Sequence, residues 1–240
     1  MAYWRATIGL AVSSFSLGAF MLGKEYHAKR QLSLISNLDN YFKFVHNKTS
    51  EASENNLKTE SETTKQLRSE LAKEAKGKVL EIGIGTGGNF KYYSNAQEVF
   101  AVDWSKPALE KAKDKLNQEE TKLKVVFSEA DANKLPYEDN TFDSVMSTFN
   151  ICSFQNPQTV LKEVERVLKP GGKAMFLDHG MAYSLKGKLM IASSYYSNLY
   201  NSGCRNNLDI DQIITKCPLR IIHRWREDEG MLYAYVLTKK

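Results

Sequence analysis

The sequence predicts an α/β fold with a doubly wound, mostly parallel sheet, and three observations carry this prediction. From residue 78 onward, strand-like and helix-like segments alternate, which is the pattern of a parallel sheet covered by helices on both faces. A glycine-rich turn, VLEIGIGTGGNF at residues 79–90, begins in the first strand. Acidic residues then stand at the ends of several strands, which is where open α/β sheets bind their ligands.

The elements follow one another in the order that this fold requires. The first four strands are predicted at KVLEIG, EVFAVD, KLKVVFSEAD and TFDSVMSTF. Helices are predicted at KPALEKAKDKL, whose proline falls in the first turn where it is tolerated, and at PQTVLKEVERVL. KPGG turns the chain into a fifth strand, KAMFLDHG, and a helix near residues 184–200 follows. LRIIHRW and MLYAYVLTK complete a seven-stranded sheet, the last strand inserting antiparallel at the sheet edge.

Composition and cysteine spacing exclude several classes of protein. The chain has 240 residues and a net charge of +5, and its basic residues are interleaved with acids. Nucleic-acid binding proteins more often concentrate their basic residues in one patch, so no nucleic-acid partner is expected. The three cysteines form no CxxC pair, which argues against a disulfide framework and against a zinc site of the usual spacing. No metal is therefore predicted, and a reducing compartment fits the chain best.

The N-terminal segment predicts a transmembrane or anchor helix over residues 1–30. Residues 6–23 carry no charge, and as a helix they would rise about 27 Å, close to the hydrocarbon core of a bilayer. Three interpretations compete, which are a signal-anchor helix, a cleaved targeting segment and a soluble amphipathic helix, and we favour the anchor. Basic residues are denser after the run than before it, which places the folded domain on the cytosolic or matrix side. The expected location is intracellular and membrane-anchored, in a mitochondrial membrane, the endoplasmic reticulum or a lipid droplet.

The remaining chain divides into a linker and one folded domain. Residues 31–66 begin with apolar residues at helical spacing and continue with a stretch rich in Ser, Thr, Glu and Asn, so we predict a helical and polar linker. Residues 67–240 contain all the predicted strands and form the folded domain.

The glycine loop fits two kinds of nucleotide cofactor. Spaced as Gly83-x-Gly85-x-x-Gly88, it is the dinucleotide fingerprint of hydride-transferring enzymes. Spaced as Glu81-x-Gly83-x-Gly85-x-Gly87, it is typical of enzymes that bind S-adenosylmethionine. Both interpretations rely on glycine because its backbone adopts positive φ and approaches a ligand closely. The loop alone does not decide between them.

Two aspartates at strand ends have the chemistry of nucleoside binding. Asp103 ends the second strand, and its carboxylate can accept hydrogen bonds from two ribose hydroxyls. Asp131 follows the third strand and can accept from an adenine amino group, while the N–H of Ala132 can donate to the ring. The structural alternative for either aspartate is a helix cap or a turn.

With these residues in place, residues 78–222 resemble the class I S-adenosylmethionine-dependent methyltransferases. The resemblance rests on four ordered segments, VLEIGIGTG, VDWS, EADANKLPYEDNTFDSV and VLKPGG, of which the third has no counterpart in nicotinamide-dependent dehydrogenases. It implies a Rossmann-like fold and S-adenosyl-L-methionine as the cofactor. The cofactor-binding residues implied are Glu81, Gly83, Gly85, Gly87, Asp103, Trp104, Asp131, Ala132 and Asn150.

Within that class, the chain is most similar to a group of membrane-anchored thiol methyltransferases. The shared features are GNF at 88–90, T-x-x-x-C-S at 148–153 and a Gly-Cys pair at 203–204. The group has Glu-His after the fifth strand, where this chain has Asp178 and His179, so the carboxylate is shorter by one methylene.

Methyl transfer from a sulfonium needs positioning above all, and a base where the acceptor is a thiol. His179 is the candidate base, and Asp178 either orients it or contacts the cofactor; the alternative is a structural histidine. The acceptor expected is a small or lipid-like molecule, such as a thiol, a quinone precursor or a lipid. Three other functions stay open: a protein or RNA methyltransferase, a dehydrogenase, and a non-catalytic methyltransferase-like subunit with protein partners in an organellar membrane assembly.

Overall fold

The computed structural model describes residues 23–30, 41, 43–48, 57, 60–119 and 122–240. Residues 23–30 and 43–48 are helical. No helix in these described ranges is long and apolar enough to cross a membrane. The apolar run predicted as the anchor lies almost wholly in residues 1–22, outside the described residues, and so does most of the predicted linker.

A single seven-stranded sheet organises the domain, with strand order β3-β2-β1-β4-β5-β7-β6. The first five strands pair in parallel, and the order reverses between β1 and β4, which is the switch point where such sheets bind ligands. The strands are β1 (Lys76–Ile82), β2 (Asn95–Asp103), β3 (Lys124–Glu129), β4 (Phe142–Thr148), β5 (Leu168–His179), β6 (Arg220–Glu227) and β7 (Leu232–Thr238).

Five helices of the domain connect or cover these strands. They are α1 (Glu62–Glu74), α2 (Lys106–Gln118), α3 (Pro157–Val167), α4 (Leu185–Ser202) and α5 (Ile210–Thr215). Polar N-caps begin four of them, since the side chains of Ser61, Ser105, Ser184 and Asp209 each accept a hydrogen bond from a backbone N–H of the first turn. α1 begins at Glu62, ahead of the boundary expected at residue 67, and buries Leu67 and Leu71 against the sheet.

The predicted antiparallel strand is present at the expected end of the sheet. β7 runs antiparallel to both β5 and β6, so it lies one place inside the outermost strand β6. The predicted KPGG turn is instead a bulge within β5. The register jumps from Phe142 opposite Leu168 to Ser144 opposite Lys173, and Gly171 adopts a φ of +76°.

The core lies on both faces of the sheet, as a helix-covered parallel sheet requires. Leu80 and Ile82 of β1 pack on one face with α3 and α5, whereas Val79 packs on the other face with α1. Because side chains alternate along a strand, Glu81 also points toward the α1 face. The same alternation in β5 turns Asp178 and His179 to opposite faces.

Candidate cofactor and acceptor site

The glycine loop leaves β1 at the switch point and is fixed by close backbone contacts. Gly83, Gly85 and Gly87 adopt φ values of +66°, +55° and +80°. A Cβ on Gly83 would lie 2.1 Å from Oδ1 of Asn150, and one on Gly87 would lie 2.3 Å from the Phe90 ring. A Cβ on Gly85 would meet no atom of the described chain within 4 Å, because this residue faces a cavity. The loop therefore packs against Asn150 and Phe90 on one side and faces a cavity on the other.

Asn150 locks this arrangement from the end of β4. Its side-chain Nδ2 donates to the carbonyl oxygens of Ile82 (3.1 Å) and Gly83 (3.2 Å) and to Ser147 Oγ (3.1 Å). The residue also lines both cavities described below. The structure thus places Asn150 where it shapes the loop backbone.

Asp103 ends β2 directly beside the loop. Its Oδ2 accepts from the N–H of Gly85 at 2.9 Å, and its Oδ1 accepts from the N–H of Ser105 at 2.9 Å. A carboxylate oxygen can accept two hydrogen bonds. Each oxygen of Asp103 accepts one from these backbone groups, so one position on each remains for a ligand. Burial raises the pKa of Asp103 above its ordinary value, and the backbone donors oppose that shift.

Glu81 lies behind the loop and is 1% exposed. Its Oε1 accepts from Asn89 Nδ2 at 2.7 Å and its Oε2 from the Tyr93 hydroxyl at 2.6 Å. It lines neither cavity described below, so its contacts order the loop and do not reach into the ligand space. Burial raises the pKa of Glu81 to about 7, although both hydrogen bonds oppose the shift.

Glu81 makes the stability of the domain depend on pH. Between its ordinary pKa of 4.5 and its folded pKa of about 7, the folded state holds a proton that the unfolded state has released. Stability therefore falls as pH rises through this window, by about 2 kcal/mol between pH 5.5 and 8.0. We expect Glu81→Gln to lose this component in urea unfolding at the two pH values, and exposed Glu110→Gln on α2 to retain it. An equal pH dependence in wild type and Glu81→Gln would contradict the assignment.

A first cavity of about 350 Å³ opens on the β1–β2–β3 side of the switch point. Asp103 and Trp104 line one side of it, and Asp131 and Ala132 line another. Oδ1 of Asp131 accepts from the backbone N–H and the side-chain amide of Asn133, both at 2.8 Å, so Asp131 also forms the turn that was its structural alternative. This cavity brings together the residues that the sequence predicted to bind the nucleoside.

A second cavity of about 530 Å³ adjoins the first and shares Gly83, Asp103 and Asn150 with it. It runs from the glycine loop to His179 at the end of β5. The His179 ring stacks on Phe149, with ring centroids 4.5 Å apart and an interplanar angle of 29°. The sequence predicted His179 as the base beside the acceptor, and the structure places it at this end of the cavity.

Two of the three cysteines lie together at this end of the cavity, although they are 52 positions apart in sequence. Cys152 and Cys204 are 3.5 Å apart between their Sγ atoms, and Cys204 Sγ lies 3.9 Å from Nδ1 of His179. Contact with Cys204 and burial raise the pKa of Cys152 well above its usual range. The fold thus brings together three groups that are distant in sequence, which spacing rules for metal sites do not detect.

Asp178 was expected either to orient His179 or to contact the cofactor, and its hydrogen-bond partner in the structure is the backbone of Cys152. Its Oδ1 accepts from the backbone N–H of Cys152 at 3.2 Å, and its Oδ2 finds no hydrogen-bond partner in the described part of the chain. Burial raises the pKa of Asp178 well above its ordinary value. Because Asp178 and His179 point to opposite faces of β5, the carboxylate positions the Cys152 turn and does not orient the imidazole.

Two further residues at the site carry no recognisable sequence signal. Arg68 of α1 is 3% exposed, donates to Asn89 Oδ1 (2.7 Å) and Thr148 Oγ1 (2.9 Å), and forms an ion pair with Glu60. His46 lines both cavities, and its ring lies 5.5 Å from that of Trp104. Burial lowers the pKa of His46 to about 4, so it is neutral at physiological pH.

The residues present fit S-adenosylmethionine. The open front of Gly85 admits the close approach of a ligand to backbone N–H groups, and Asp103 keeps free acceptor positions for ribose hydroxyls. Trp104, Asp131 and Ala132 surround the space for the base. The fold and this site define a methyltransferase domain of the S-adenosylmethionine-dependent class.

Comparison with known proteins gives the same class. Residues 80–176 match the family described as "Methyltransferase domain". A phosphatidylethanolamine N-methyltransferase of Cereibacter sphaeroides is 26% identical over 67% of this chain and 78% of its own length. The rat thiol S-methyltransferase TMT1B is 40% identical over 42% of each chain. The mitochondrial methyltransferase OMS1 of Saccharomyces cerevisiae is 28% identical over 71% of this chain and 40% of its own length.

The match therefore spans only about two fifths of the length of two of these three relatives. Among solved structures, a SAM-dependent methyltransferase from Aquifex aeolicus superposes with a TM-score of 0.54, covers 74% of this chain and 89% of its own, and shares 21% identity. That likeness establishes the fold.

Proposed function

We propose that this protein transfers the methyl group of S-adenosylmethionine to the sulfur of a small, apolar thiol at a membrane surface. The observation that carries the proposal is the acceptor end of the second cavity, where Phe149, His179 and Cys204 stand together beyond the cofactor-binding loop. The 40% identity to a thiol S-methyltransferase over 42% of this chain supports it, and so does the T-x-x-x-C-S segment at residues 148–153 after β4.

The side chains divide the work of binding and activation. Asp103 and the loop hold the cofactor in place, and its sulfonium supplies a methyl group that is already bonded to a good leaving group. Phe149 offers an apolar wall to the acceptor, and the exposed face of His179 lies in the same cavity. A free thiol is only a few per cent ionised at neutral pH, so His179 accelerates transfer by accepting the thiol proton.

The direct test is a methyl-transfer assay with paired acceptors. We expect the full chain to methylate an alkyl thiol and to leave the alcohol of the same chain length unmodified, because an alcohol is far less acidic and less nucleophilic. A phenolic quinone precursor is the third acceptor. Methyl transfer to the quinone precursor and not to the thiol would contradict the proposed thiol acceptor and identify a ring acceptor instead. Cofactor binding without transfer to any of the three would favour the non-catalytic subunit.

Membrane attachment is proposed for the apolar run at residues 6–23, and the mitochondrial relative is compatible with an organellar membrane. Each arginine placed near the centre of a spanning helix costs about 2.5–3.5 kcal/mol, so Phe15→Arg with Leu17→Arg should release the chain from vesicles in a flotation assay. The paired control is Leu185→Arg with Leu189→Arg, at exposed apolar positions at the start of α4. If the Phe15→Arg, Leu17→Arg variant stays bound to vesicles and the Leu185→Arg, Leu189→Arg variant is released, then α4 and not the N-terminal run attaches the protein to the membrane.

A further inference from the structure

We propose that Cys152, His179 and Cys204 form a binding site for one zinc ion at the acceptor end of the second cavity. The ligand atoms of the three residues all lie within 4.8 Å of one another. Two sulfurs and one imidazole nitrogen are a set that binds Zn²⁺, and a site with three protein ligands leaves one position open, as catalytic zinc sites do.

The distances are close to those that zinc imposes. With Zn–S bonds of about 2.3 Å and a Zn–N bond of about 2.0 Å, tetrahedral geometry separates two sulfurs by about 3.8 Å and a sulfur from a nitrogen by about 3.5 Å. The corresponding separations are 3.5 Å between the sulfurs of Cys152 and Cys204 and 3.9 Å from Cys204 Sγ to His179 Nδ1. Shifts of a few tenths of an ångström at these two pairs are enough to reach the ideal values.

Three different segments hold these ligands, and they are tied to each other independently of any ion. Cys152 lies in the turn after β4, His179 ends β5, and Cys204 follows α4, which Gly203 ends with a φ of +69°. The N–H of Arg205 donates to the carbonyl of Cys152 at 2.9 Å, and the Arg205 guanidinium donates to the carbonyl of Phe154. These bonds keep the two thiols side by side.

A second observation points to a cation at this place. Asp178 is 1% exposed, its Oδ1 is bonded to the backbone of Cys152, and its Oδ2 lacks a hydrogen-bond partner in the described residues. A buried carboxyl oxygen without a hydrogen-bond partner is unfavourable, and a positive charge nearby offsets part of that cost. A divalent ion on the adjacent thiolates supplies that charge.

The site faces the ligand space of the enzyme. All three ligands line the second cavity together with Gly85 and Asp103, so an ion held by them would border the same space as the cofactor loop. The catalytic consequence rests on the proposed thiol acceptor. An acceptor thiol that binds the ion gives its proton to solvent and is held as a thiolate for methyl transfer. In the metal-bound protein, His179 is a ligand, and the ion replaces it in activating the thiol.

The test uses the full chain, first treated with a chelator under reducing conditions and then titrated with Zn²⁺ or Co²⁺. We expect one ion per chain and sulfur-to-cobalt charge-transfer absorption. Cys204→Ser and His179→Ala should each weaken binding by about 100-fold or more. Cys217→Ser is the matched control, since Cys217 is buried elsewhere with its thiol 3.9 Å from the Leu219 carbonyl, and it should bind like wild type.

Binding that is unchanged in Cys204→Ser, or absent from the reduced, folded wild type, overturns the site. Cys204 is only half-buried, so its serine variant is expected to fold, and its unfolding curve checks this. Ion binding and methyl transfer are measured separately. Zinc binding without thiol methylation would support the zinc site and contradict the proposed function. Equal thiol methylation with and without zinc would contradict the catalytic role of the ion.

Discussion

Replacing Asp103 by alanine is expected to lower the affinity for S-adenosylmethionine by at least about 100-fold. The carboxylate offers one free acceptor position on each oxygen, and a hydrogen bond to a charged group contributes about 1.5–3 kcal/mol. Two such bonds correspond to roughly two or more powers of ten in the dissociation constant. Calorimetric titration of the purified chain with the cofactor measures the effect directly.

Two companion variants make the result specific. Asp103→Asn keeps one accepting oxygen and should lose about tenfold, because it removes the charge and one acceptor. Asp114→Ala removes an exposed aspartate from α2 and should bind like wild type. Wild-type affinity in a folded Asp103→Ala variant would show that the cofactor does not bind at the end of β2.

The second large effect is expected from alanine at Gly83, which should destabilise the domain by about 3 kcal/mol. A positive φ costs a non-glycine residue about 1–2 kcal/mol. The added Cβ would also lie 2.1 Å from Asn150 Oδ1 and displace the amide that bonds the carbonyls of Ile82 and Gly83. Loss of these bonds accounts for the remainder. Urea unfolding without cofactor measures the change.

Alanine variants of two other glycines, Gly171 and Gly85, distinguish the cost of backbone strain from the cost of a side-chain clash and from a loss of ligand contact. Gly171 has a φ of +76° and nothing within 4 Å of its Cβ position, so its alanine variant should lose only about 1–2 kcal/mol and keep wild-type cofactor affinity. Gly85 has the same open space but faces the cavity. Its alanine variant should show a similar loss of stability and bind the cofactor at least about tenfold more weakly. Equal stability losses at Gly83 and Gly171 would exclude the Asn150 contact as the constraint.

The local chemistry of the cofactor site was determined by the sequence itself. Strand and helix periodicities are short-range patterns, and so are the glycine spacing and the acid at the end of each strand, so they predicted the sheet and the positions of Gly83, Asp103 and Asp131. The sequence also predicted the antiparallel strand, because two strand-like segments follow each other near the chain end with too few residues between them for a parallel crossover. The sequence did not predict that this strand, β7, lies between β5 and β6. That order depends on how the end of the chain returns across the sheet, which no local pattern encodes.

The sequence indicated His179 and the segments that contain Cys152 and Cys204, but only the tertiary structure decided that these side chains meet. Cys152, His179 and Cys204 come from three separate segments, and only the parallel sheet and the end of α4 bring their side chains together. Strand alternation points the side chains of Asp178 and His179 to opposite faces of β5, although the two residues are neighbours in sequence. The Asp178 carboxylate accepts a hydrogen bond from the backbone N–H of Cys152. Arg68 reaches the loop from α1 through contacts with residues 21 and 80 positions away. Sequence patterns record periodicity over a few residues, whereas a site is made of side chains that meet only after the sheet has formed.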